Sequence, residues 1–108
     1  IYINSTRTLA KPARVFCYKE EIMNEKILEN REQIDTADEQ IFDLLLKRLD
    51  AVTAIGYIKK QEGLPVLDQE RENAIYAKID ARFSAAEASF LKSIYQSIIT
   101  ESKKVEEL

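Results

Sequence analysis

Three cations, Arg31, Arg48 and Lys59, fall on a helical stripe otherwise filled by aliphatic residues. In IFDLLLKRLDAVTAIGYIKKQ, residues 41–61, Ile41, Leu45, Val52 and Ile55 keep a seven-residue rhythm, and Arg48 and Lys59 lie within it. Arg48 and Lys59 are eleven residues apart, almost three whole turns, so they share a face about 16 Å apart along the axis. Two long side chains can close most of that gap on a small ligand. Burying such groups costs several kcal/mol unless something anionic compensates. Snorkelling, or pairing with an acid such as Asp38, would account for any one of them. Three together point to a doubly negative guest. Arg31 precedes Arg48 by 17 residues, about 25 Å of helix, so one small molecule cannot touch both within a chain. If Arg31 serves a site, that site belongs to a neighbouring subunit.

Much other chemistry is closed to this sequence. It has no histidine, which removes the commonest general base, the commonest metal ligand and every Ser–His or Cys–His arrangement. Cys17 is the single cysteine, so neither an intrachain disulfide nor a thiolate cluster is available, and a reducing, cytoplasmic setting is expected. The net charge of −3 argues against nucleic acid or an anionic membrane as the main partner. No apolar run approaches the roughly 20 residues that would span a bilayer. Arg7, Lys11, Arg14 and Lys19 interrupt any cleavable signal core.

The elements that must carry the cations are helices. The 108 residues include only two Gly and two Pro, too few turn-formers for a many-stranded sheet. Met23 to Gln61 reads as one long helix, with Ile27, Ile34, Ile41, Leu45, Val52 and Ile55 as its seam. Gly63 and Pro65 stop it. Asp68 is placed to cap a short second helix carrying Ile75 and Ile79. Ser84 and Glu87 have capping-box spacing and open a third helix, on which Leu91, Ile94, Tyr95, Ile98, Ser102, Val105 and Glu106 form one stripe. Residues 1–22 have no sustained period and no acid before Glu20. They read as an N-terminal extension of unknown role, a remnant of something upstream or of a basic transit segment, and residues 23–108 as the functional domain.

At the start of the second helix Asp68, Arg71 and Glu72 cluster within one turn. Together with the seam they make the order Arg31, Arg48, Lys59, Pro65-Val66, Asp68, Arg71-Glu72, Ser102, Glu106. That order strongly resembles the all-helical class (type II) of chorismate mutases. The resemblance covers residues 23–108 almost without gaps, through NREQID, LLLKR, AIGYIKK, GLPVLDQERE and IITES.

The resemblance implies an isomerase of aromatic amino acid biosynthesis that converts chorismate to prephenate. It implies an intertwined homodimer of three-helix subunits (long, short, medium) with shared active sites. The reaction is an intramolecular Claisen rearrangement, needing no nucleophile, metal or redox cofactor. Catalysis then comes from holding the reactive conformer and stabilising charge as the ether bond breaks. By the same resemblance Arg31 reaches a carboxylate in the partner's site, Arg48 holds one in its own, and Lys59 donates to the ether oxygen. Asp68 and Glu72 position the substrate hydroxyl, while Arg71 and Ser102 attend the carboxylates. Glu106 stands where many members carry glutamine. An ionised carboxylate would repel the developing negative charge, so Glu106 has to be protonated to help. Activity is then expected to fall as pH rises through its titration. An isochorismate pyruvate lyase on the same scaffold and a non-catalytic helical dimerisation module are the competing readings.

Overall fold

The structure, a computed structural model, describes residues 18–108. Over these the chain is all-helical: α1 is Tyr18–Glu62, α2 is Gln69–Arg82 and α3 is Ala85–Glu106. The long, short, medium order agrees with the sequence reading. Helix α1 is already formed at Tyr18, the first described residue, ahead of the expected start near Met23. No breaker separates the two positions, and Glu20 and Glu21 favour the positive end of the helix dipole. Residues 1–17, with Cys17 and most of the expected extension, lie outside the described residues.

The chain divides between Leu45 and Leu46 into two units. The described part of the first is the N-terminal run of α1. Its seam residues Ile27, Ile34 and Ile41 are 47%, 50% and 49% exposed, so the stripe read as inward-facing stays about half open. Arg31 is half-buried in this unit, and among the described residues no carboxylate, Asp38 included, forms an ion pair with it.

The second unit holds the end of α1, all of α2 and all of α3. Gly63 ends α1 at φ +66°, where the missing Cβ removes the steric penalty of a left-handed residue. The Leu64 N–H then reaches back to the Lys59 carbonyl at 2.8 Å, the six-to-one bond of a Schellman cap, and Pro65 prevents resumption. The Asp68 carboxylate accepts the Arg71 backbone N–H at 3.0 Å and caps α2 as expected. Ser84 and Glu87 close a reciprocal capping box on α3. Only Phe83 and Ser84 separate α2 from α3, so the two pack as neighbours.

Val52, Ile79, Ala88 and Ile99 are the fully buried apolar side chains among the described residues. On α3 the predicted stripe is covered at Leu91, Tyr95, Ile98, Ser102, Val105 and Glu106 and exposed at Ile94, and the covered face widens to take in the buried Ala88 and Ile99. Ser84→Ala, which removes half of the capping box, is expected to lower unfolding stability by about 1 kcal/mol, read by chemical denaturation.

Candidate active site

On the last turns of α1, Arg48, Val52, Ile55 and Lys59 recur at four-three-four spacing and line one side of a cavity of about 300 Å³. Val66, Asp68, Arg71 and Glu72 enter it from the connecting loop and the first turn of α2. Ser102, Lys103 and Glu106 close it from α3. Every residue that the sequence nominated within this unit lines the cavity. Arg31 belongs to the other unit and is not part of this lining.

Lys59 is the most constrained of the cations. Its Nζ donates to Glu106 Oε1 at 2.7 Å and to the Val66 carbonyl at 3.0 Å. The Lys59 and Glu106 side chains are 19% and 12% exposed, so this ion pair is sheltered from solvent. An ammonium has three donors, and one remains for a guest. The pair depends on how closely α1 and α3 approach. A Cβ added to Gly56, which is buried, would lie 2.9 Å from the Glu106 Cα. Only glycine permits that contact. Gly56 was not singled out by sequence reasoning, because nothing in its immediate neighbours marks the approach of a second helix.

Arg48 is half-buried, and its Nη1 donates to the Ser102 hydroxyl. Ser102 in turn donates to the Ile98 carbonyl at 2.7 Å, so its hydroxyl anchors the arginine fork to α3. Glu72 is held by Lys103, with Nζ 3.2 Å from Oε2. Lys103 is a second residue that the sequence reading missed. Asp68 spends one carboxylate oxygen on the cap of α2. Among the described residues no carboxylate pairs with Arg48 or Arg71. The cavity thus presents two guanidiniums whose charge is left for an anion, and each can grip a carboxylate through two parallel hydrogen bonds. Outside the cavity, on the exposed face of α3, the hydrogen bond to Glu101 and that residue's charge hold Lys104 above the ordinary lysine range.

Residues 30–107 match the family described as chorismate mutase type II, and the chain belongs to that family. The T-protein of Enterobacter agglomerans is 32% identical over 74 residues, 67% of this chain and 20% of that protein. The chorismate mutase of Methanocaldococcus jannaschii is 40% identical over 57 residues, 53% of this chain and 58% of that protein. The 4-amino-4-deoxychorismate mutase of Streptomyces venezuelae is 31% identical over 81 residues, covering 72% of this chain and 78% of that protein. The chain spans about a fifth of the length of the T-proteins it matches. No solved structure matches the chain closely enough to count. Among the described residues no helix is long and apolar enough to cross a membrane.

Gly56→Ala is expected to push α3 away at Glu106. The cost should be about 1–3 kcal/mol of overpacking, read as a lower melting temperature, together with loss of the cavity's ligand response.

Proposed function

We propose that the chain is a chorismate mutase domain that rearranges chorismate to prephenate. The observation that carries this reading is the pair of guanidiniums, Arg48 and Arg71, without carboxylate partners among the described residues, beside the Lys59 ammonium in one cavity. Chorismate carries two carboxylates, and an ether oxygen that gains negative charge as its C–O bond breaks and the new C–C bond forms. Arg48 takes one carboxylate, with Ser102 orienting its fork, and Arg71 attends the other. The free donor of Lys59 addresses the ether oxygen, where a preorganised donor acts most strongly. Asp68 and Glu72 receive the substrate hydroxyl. Glu106 holds the Lys59 ammonium in place through the 2.7 Å ion pair.

Arg31 is assigned to the cavity of a second subunit, on its 17-residue spacing from Arg48. The α1 seam supports an intertwined homodimer, since Ile27, Ile34 and Ile41 are each about half exposed. Residues 23–108 form the catalytic domain on this reading, residues 1–22 an extension, and the setting is cytoplasmic.

The experiment is chorismate loss followed by absorbance. Arg48→Ala and Arg31→Ala should each lose at least about 100-fold in kcat/KM, the scale set by removing one fixed donor to a charged group. Mixing the two variants should restore part of the rate, because each mixed dimer keeps one intact cavity. Wild type inert toward chorismate overturns the reading. Parallel incubations with isochorismate and with 4-amino-4-deoxychorismate, the compound in the name of the Streptomyces relative, test the neighbouring reactions.

A further inference from the structure

One charged residue of the cavity has no part in the steps above. Lys103 follows Ser102 on α3, lines the cavity, and places its Nζ 3.2 Å from Glu72 Oε2. The Glu72 side chain is 16% exposed and that of Lys103 is 34% exposed, so the pair sits at the cavity wall and not free in solvent. Every carboxylate facing the cavity is already engaged. Glu106 holds Lys59, Glu72 holds Lys103, and Asp68 accepts the Arg71 backbone N–H. On the cationic side Arg48 and Arg71 remain without acids among the described residues. The wall therefore offers places for two negative charges and none for a positive one.

We propose that Lys103 is the residue that sets substrate specificity here, by occupying Glu72 so that the cavity accepts a dianion bearing a neutral hydroxyl and rejects the same dianion bearing an ammonium group. This rests on the preceding reading, in which Glu72 receives the polar group of the substrate ring. Lys103 is bonded to one oxygen of Glu72, Oε2, so Oε1 stays open to accept from a hydroxyl. An ammonium arriving at the same oxygen would meet a carboxylate already neutralised, with a like charge beside it. Rejection by an unfavourable charge is a common source of specificity. Without the Lys103 charge, Glu72 would be an unpaired and largely buried anion, which an ammonium compensates better than a hydroxyl does.

The test compares kcat/KM for chorismate and for its 4-amino counterpart in wild type, Lys103→Met, Lys103→Gln and Lys103→Arg, with folding checked by circular dichroism. Wild type should favour the hydroxyl substrate. The ratio should move toward the amino substrate by about tenfold in Lys103→Met and Lys103→Gln, the scale of one charge pair at a partly open site. Lys103→Arg, which keeps the charge, should retain the wild-type ratio. A ratio unchanged in both neutral variants overturns the inference and leaves the mutase reading standing. An equal shift in Lys103→Arg also overturns it, because shape and not charge would then be responsible. Wild type that turns over neither substrate removes the mutase reading and this inference together.

Discussion

Arg48 and Arg71 keep their charge available because the acids around them are engaged elsewhere, and the rest of the cavity is arranged around that constraint. Glu106 is drawn to Lys59, Glu72 to Lys103, and Asp68 to the backbone of α2. Had Glu106 or Glu72 swung to a guanidinium, the charge left for an anion would have sat on Lys59 or Lys103 instead, without arginine's two-pronged grip on a carboxylate. Arg48, half-buried without a carboxylate, carries a cost in the free protein that binding an anion relieves, whereas Arg71 is exposed. That difference is the physical basis of the proposed substrate recognition.

Keeping those acids in place is a matter of helix ends. The Schellman cap at Gly63 stops α1 just past Lys59 and turns the chain so that the Val66 carbonyl can accept from the same ammonium. The Asp68 cap starts α2 with Arg71 and Glu72 in its first turn, which puts both at the cavity. At the far end of α3, Glu106 can approach Lys59 only because Gly56 presents no side chain between the two helices. Backbone termini and one glycine thus hold the charged groups, so little of the arrangement relies on loop flexibility.

The thin core gives the same structure a second consequence. With Val52, Ile79, Ala88 and Ile99 as the fully buried apolar residues among those described, the chain leaves its long aliphatic faces about half exposed. In the proposed dimer a second copy would cover the α1 seam and deliver Arg31 in the same event. Folding, assembly and completion of the cavity would then be one process.

The helices, their caps and the break at Gly63-Leu64-Pro65 were readable in the residues themselves, since each depends on neighbours within about four positions. The cations on the aliphatic stripe were equally plain, and their spacing alone put Arg48 and Lys59 on one face. The family resemblance added the second-helix acids and the end of α3. The helical run ahead of Met23 was missed because its five described residues, YKEEI, are too few to show a period. Only the tertiary structure decided that Ile99 is buried while Ile94 is exposed, that Gly56 makes the closest approach, and that Lys103 holds Glu72. Each of these turns on the rotation and separation of two helices far apart in sequence. A shift of about one residue there exchanges which side chains meet, and no local pattern records it.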